Sequence, residues 1–217
     1  MKKILLVSFF ICITLVSIAQ HKADIGLFAG MSYYMGDINP KRYFYSPSPA
    51  FGGIYRYNIN KRYALRFNAY YATIKGSDFD FPKNYHPDRP SVSFSTSLLD
   101  LGSNIEFNFL PYIPTVNRLD YSTYITAGLG YSLILGSTVN AKNTFTIPFG
   151  AGIKINISDR LSSGAELTFR KTFTDVLDGI GGPLEKSLIH NNDWYSFFGV
   201  FITYKFFKFA ANCPAYN

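Results

Sequence analysis

Alternation with period two is the feature that most limits what this chain can become. Between residues 99 and 109, Leu99, Leu101, Ile105, Phe107 and Phe109 share one side and Asp100, Gly102, Asn104, Glu106 and Asn108 the other. Successive side chains point to opposite faces in a strand, whereas a helix groups residues three and four apart. The same pattern recurs along the chain. Bounded by turn residues, it predicts eight strands near 24–35, 50–59, 62–75, 92–109, 121–135, 145–157, 160–174 and 194–208. The last segment, with Phe197, Phe198, Val200, Phe201 and Ile202, is apolar on both faces, so its register stays open.

An alternating strand fits a soluble sandwich or a membrane barrel, and the polar faces decide between them. They carry charges of both signs at mid-strand: Arg66, Glu106, Lys154, Glu166 and Arg170. Glycines gather on the same faces, as in Gly128, Gly130, Gly150, Gly152 and Gly164, which a narrow lumen requires. Most of the segments also reach the roughly 9–11 residues that a tilted strand needs to cross a bilayer. Composition agrees. Aromatic residues are 18% and charged residues 16%, against about 25% charged in a typical soluble domain. The expectation is an all-β, eight-stranded antiparallel outer-membrane barrel. At eight strands side chains fill the interior, so the five lumenal charges are expected to pair with one another. A proton or substrate path through them is the less favoured reading, since a lone buried charge is costly.

The start of the chain fits export. Met1-Lys2-Lys3 precedes an apolar run from Ile4 to Val16, and Ser17-Ile18-Ala19 supplies small residues at a cleavage position. This predicts a signal peptide over 1–19, cut before Gln20, and together with the barrel pattern it implies a bacterium with two membranes. The barrel is then assigned to 20–208 and a C-terminal tail to 209–217. Loss of Lys2 and Lys3 lowers the formal charge from +7 to +5, with no Lys/Arg run, so nucleic-acid binding is not expected. Cys12 leaves with the signal and Cys213 becomes the one mature cysteine. An intermolecular disulfide and an inert tail thiol both remain open for it.

Connections alternate in length. Asn60-Lys61 and Ser158-Asp159 are tight, and 110–120 lies on the same side by strand count; the other side carries 36–49, 76–91, 136–144 and 175–193. Outer-membrane barrels keep short turns in the periplasm and long loops outside, which places both termini in the periplasm. There the short connections end in Arg62, Arg118 and Arg160, either anchors at the headgroup boundary or a ring for an acidic partner. The apolar stretch with Pro111, Tyr112 and Ile113 and the tail with Cys213, Pro214 and Tyr216 are candidate partner-binding elements on that side.

Catalysis is not expected. His21, His86 and His190 follow no nucleophile pattern, and no Gly-x-Ser-x-Gly is present. His86, Asp88, His190 and Asp193 read better as solvated loop residues than as a metal site, and no cofactor is implied. The aromatic stretches 42–45 and 79–81 support an alternative: a general small barrel that binds outside ligands or adheres through its outer loops.

The stretch Tyr33-Tyr34-Met35-Gly36-Asp37-Ile38-Asn39-Pro40 resembles the Tyr-Tyr-x-Gly-Asp-Leu-Asn signature of PorG-like barrels, with Ile38 in place of leucine. Arg56-Tyr57-Asn58-x-Asn60-x-Arg62, Ile74-Lys75-Gly76-x-Asp78 and the terminal Cys213-Pro214-Ala215-Tyr216 fit the same pattern, so the likeness spans about 24–216. PorG-like proteins are outer-membrane components of the type IX secretion system of Bacteroidetes, which also serves gliding in some members. The resemblance implies a non-catalytic barrel that anchors a periplasmic ring of a PorK-like lipoprotein and its PorN-like partner, and it makes Cys213 a candidate for a covalent link to that ring. Gly36, Asp37 and Asn39 are expected to start a loop at the outer rim, where Asp and Asn side chains bond nearby backbone.

Overall fold

In the computed structural model the sheet closes on itself. Strands β1 (Ala23–Met35), β2 (Ser48–Asn58), β3 (Tyr63–Ser77), β4 (Ser93–Asn108), β5 (Tyr121–Ser137), β6 (Thr144–Asn156), β7 (Leu161–Thr172) and β8 (Trp194–Lys205) pair antiparallel in chain order. The β8 strand returns to β1, from Asp24↔Lys205 to Met35↔Trp194. The structure describes residues 23–36, 39, 42–80, 91, 93–111, 121–158, 160–173 and 193–205. All eight expected strands form, with ends shifted by at most three residues. The expected signal, most of the 110–120 connection and the tail after residue 205 lie outside the described residues.

Closure gives every strand two neighbours and removes the sheet edge, which a strand inside lipid could not leave unpaired. The alternation then sorts side chains by face. Leu27 is 75% exposed and Leu129 71%, with Ile25, Ile105, Ile125, Val200 and Ile202 also outside. That exterior is the reverse of a soluble protein's, and it suits hydrocarbon rather than water. Aromatic pairs cross strands on it, including Phe51–Tyr71 at 5.3 Å, Tyr63–Phe107 at 5.2 Å and Tyr131–Phe145 at 4.8 Å between ring centroids.

The register of β8, open in the sequence, is now fixed. Tyr195, Phe197, Phe201, Thr203 and Lys205 point inward; Phe198, Val200, Ile202 and Tyr204 point outward. Inward aromatics need room, and glycines provide it. A Cβ on Gly199 would lie 2.6 Å from the Phe28 ring, and one on Gly164 2.5 Å from the Phe201 ring. Gly199 and Gly164 are therefore seats for rings that fill the lumen, as Gly52 and Gly152 are for Tyr70 and Tyr124.

Both chain ends of the barrel, at Ala23 and Lys205, share one mouth with the turns at 59–62 and 157–160. Asn60 Oδ1 accepts from the backbone N–H groups of Arg62 (2.8 Å) and Tyr63 (2.7 Å), and Ser158 Oγ accepts from Leu161 N–H (3.1 Å). Arg62, which ends the first of these turns, precedes β3, is exposed, and donates from Nη1 to Phe109 O at 3.3 Å.

Candidate functional site

Two places concentrate polar side chains: the lumen, and the rim at the mouth of the longer connections. In the lumen the strands bury Arg56, Arg66, Lys154, Arg170 and Lys205 against Asp24, Asp100, Glu106 and Glu166, five cations for four carboxylates. Such charges persist without water only if they are paired and hydrogen-bonded, and they are stacked in layers that achieve it.

Nearest the short-turn mouth, Lys205 Nζ donates to Asn156 Oδ1 (2.6 Å), and Asn58 Nδ2 donates to Asp24 (3.2 Å). Above them Glu106 gathers three cations: Arg56 Nε at 2.9 Å, Lys154 Nζ at 2.5 Å and Arg66 Nη1 at 3.3 Å. Arg66 continues to Glu166 at 2.5 Å. Glu166 also accepts from Tyr124 Oη (2.7 Å) and Tyr70 Oη (3.1 Å). Higher still, Arg170 faces Asp100 at 3.4 Å, bonds Thr168 Oγ1, and lies 4.5 Å from the centre of the Phe197 ring. Tyr195 Oη completes the series, 2.5 Å from both Asp100 and Ser132.

The structure thus brings the five expected lumenal residues together: ion pairs join Lys154, Glu106, Arg66 and Glu166, and Arg170 lies 5.7 Å from the centre of the Tyr70 ring, whose hydroxyl bonds Glu166. Sequence reasoning missed Arg56, Asp24 and the tyrosines. Arg56 was legible in principle, because outward Tyr55 and Tyr57 on either side force it inward. The tyrosines were not, since an aromatic residue on either face satisfies an alternating pattern. Arg66–Glu166 joins β3 to β7 and Asp100–Tyr195 joins β4 to β8, each spanning the barrel's full width. The lumen is a cross-braced plug in which each carboxylate holds at least one cation.

At the opposite mouth, Tyr34 Oη donates to Asp193 Oδ1 at 2.9 Å, closing β1 onto the residue before β8. Gly36 leaves room for this pair, because a Cβ there would run into Tyr34 Oη and Asp193 Oδ1 and have to displace them. Gly36 and Asn39 exchange backbone hydrogen bonds, 3.0 Å from Asn39 N–H to Gly36 O. Fully buried Asn39 donates from Nδ2 to Tyr34 O (3.1 Å) and Arg42 O (2.6 Å), and accepts Arg42 N–H at 2.9 Å. Asn39 therefore performs the loop-starting role expected of it; Asp37 lies outside the described residues. Further along, Tyr45 Oη bonds Asp80 Oδ2 at 2.5 Å. Partial burial and the neighbouring carboxylate push the phenol up to about 12 from its ordinary 10.0.

Replacing Asn39 with Ala strips Tyr34 O and Arg42 of these partners. The expected cost is about 1–3 kcal/mol, read as an earlier loss of the folded, heat-resistant band on unboiled gels. A variant as heat-resistant as the parent would show that the loop start is not a structural clasp.

Of the partner-binding candidates, only Pro111 is described; it is exposed at the short-turn mouth. Tyr112, Ile113, Arg118, Cys213, Pro214 and Tyr216 lie outside the described residues, as do the three histidines. Asp193, weighed in the sequence as a metal ligand, is engaged by Tyr34 instead.

A family model described as Domain of unknown function (DUF6089) matches residues 2–215. No curated protein matches the sequence. Among solved structures, Neisserial surface protein A is 13% identical with a TM-score of 0.50, covering 84% of this chain and 96% of that one. The N-terminal barrel domain of Pseudomonas aeruginosa OprF is 16% identical with a TM-score of 0.46, over 84% and 98% of the two chains. Ail, the attachment invasion locus protein of Yersinia pestis, solved with the heparin analogue sucrose octasulfate, is 12% identical with a TM-score of 0.47, over 85% and 98%. At 13% identity the likeness to the Neisserial protein speaks to the fold alone, which many unrelated functions share.

Proposed function

The chain belongs to the DUF6089 family, and on that footing we propose that it is a non-catalytic outer-membrane barrel anchoring the periplasmic ring of a type IX secretion machine. The observation that carries this reading is the plugged lumen. Its carboxylates each hold a cation, Asp24 with Arg56, Glu106 with Arg56, Lys154 and Arg66, Glu166 with Arg66, and Asp100 with Arg170. An interior filled and paired in this way supports a structural role, and activity is assigned to the two mouths. The resemblance of Tyr33 to Asn39 to the PorG-like signature supplies the identity of the machine, and the buried clasp of Asn39 gives that signature a physical reason to be kept. In this reading the short-turn mouth, with exposed Arg62 and Arg160, faces the periplasm, and Pro111 and the tail around Cys213 meet PorK-like and PorN-like subunits.

A second reading rests on the exposed aromatics of the other mouth, Tyr43 at 70% and Phe79 at 74%. These would serve adhesion or ligand capture outside the cell. One experiment separates the two. Tagged protein is recovered from native outer membrane in mild detergent, with and without reductant, and its companions are identified by mass spectrometry. The anchor reading expects periplasmic ring subunits, part of them in a reductant-sensitive band that Cys213→Ser abolishes. Ring subunits retained after deletion of residues beyond 208 would remove the tail from the docking surface. A lone barrel in every lane would sink the anchor and favour the outer-loop reading.

A further inference from the structure

The outer wall over β1–β4 is not smooth. One row of register partners crosses it, Leu27, Gly53, Ala69 and Leu101, and its side chains run large, absent, small, large. Gly53 and Ala69 floor a groove of about 650 Å³. Leu27 and Leu101 flank it, and the Tyr55 and Phe67 rings, 6.4 Å apart between centroids, close one end. A second groove, of about 510 Å³, lies across β1 and β8. Leu27, 75% exposed, therefore stands as a ridge between two hollows. Gly53 has no part in packing the barrel. A Cβ on its neighbour Gly52 would collide with Tyr70, whereas one on Gly53 would meet nothing nearer than Gly26 O at 3.9 Å, and its φ is not left-handed. Glycine weakens a strand interior, and this one serves only to keep the groove floor open to whatever approaches from outside.

In hydrocarbon no hydrophobic force joins two apolar walls, so association follows from close packing, which small residues permit. Acyl chains mould themselves to any wall and need no glycine floor. A protruding branched side chain does need one, and this wall carries such a side chain beside the hollow, Leu27 in register with Gly53. A patch that holds both knob and hole is self-complementary, which is what a two-fold contact requires, because each copy presents the same surface to the other. We infer that β1–β3 form the interface of a homodimer within the membrane. Two upright copies related by an axis along the membrane normal set Leu27 of each into the groove over Gly53 and Ala69 of the other. Register neighbours one strand apart lie close in depth, so both knobs seat together. The contact depends on this wall facing lipid and not on the ring anchor proposed above.

The test uses the whole chain freed of its signal, with Cys213→Ser to remove thiol-linked pairs and exposed Lys142→Cys to carry a donor or an acceptor dye. It is placed in phosphatidylcholine vesicles, and energy transfer is followed as added lipid dilutes the protein. Transfer above that of random encounters, and lowered by unlabelled copies, is expected. Gly53→Leu fills the groove and Leu27→Ala removes the knob. Each should weaken association at least about tenfold. Each should also keep the heat-resistant folded band, because neither position packs inside the barrel. Ile153→Ala, on β6 of the opposite wall, should associate like the parent. Transfer no greater than random encounters at every dilution would leave the groove to lipid and overturn the dimer. Association unchanged in both Gly53→Leu and Leu27→Ala, or weakened as much by Ile153→Ala, would overturn this interface.

Discussion

Replacing Glu106 with Ala is expected to cost more stability than any other single truncation in the lumen. Its carboxylate lies within 3.3 Å of Arg56, Lys154 and Arg66. Without it three cations face one another across a space that water does not enter freely, and only Asp24 and Glu166 remain to balance them. Breaking one partner of a buried ion pair costs about 3–5 kcal/mol, and here one carboxylate serves three partners. The variant should fail to reach the heat-resistant form, or melt from it far below the parent in refolding trials. Glu106→Gln keeps the shape and removes the charge, so a similar loss would assign the effect to electrostatics rather than to packing. If both variants fold like the parent, water reaches the lumen and the plug is not dry.

The second large effect is expected on the other face. Leu129 lies at the middle of β5 and is 71% exposed. In a soluble protein an exposed leucine is replaced by arginine within about 0.5 kcal/mol. On the lipid face of a barrel, arginine near the bilayer midplane costs about 2–4 kcal/mol. Leu129→Arg is therefore expected to lower the folding free energy by that amount in phospholipid bilayers and to insert poorly into them. Arginine at exposed Tyr121, at the end of the same strand, should cost much less. An equal, small effect at both positions would mean that lipid does not contact this wall.

Strand number, order and inward face were legible because period two is a local property of the chain. The register of β8 was not, and the reason is specific. Phe197 and Phe201 look apolar in sequence but serve the polar side, lying 4.5 Å from Arg170 and 5.3 Å from Arg56. An aromatic ring can face lipid or cover a guanidinium, so its presence does not assign a side. Partners inside the lumen were illegible for another reason. Parity says that Arg66 and Glu166 point inward, but not that they share a layer, because height in a barrel depends on the stagger between strands. The loop-starting role of Asn39 could be read from its residue type, whereas its burial under Tyr34 could not.

The braces that span the barrel also bear on how it is made. Arg66 and Glu166 lie 100 residues apart, and Asp100 and Tyr195 lie 95 apart. A sheet assembled only from β1 to β6 would hold Arg56, Arg66 and Lys154 with Asp24, Asp100 and Glu106, but would lack Glu166, Arg170 and Tyr195 and the curvature that closes the layers. Its inner face would be a strip of hydrated ions that lipid cannot accept. Insertion can therefore not proceed hairpin by hairpin through the hydrocarbon. The curled sheet must keep its ions wet until β8 meets β1, so that dehydration, crossing and closure fall together in one late step. A chain stalled before that step is left with charges it cannot bury.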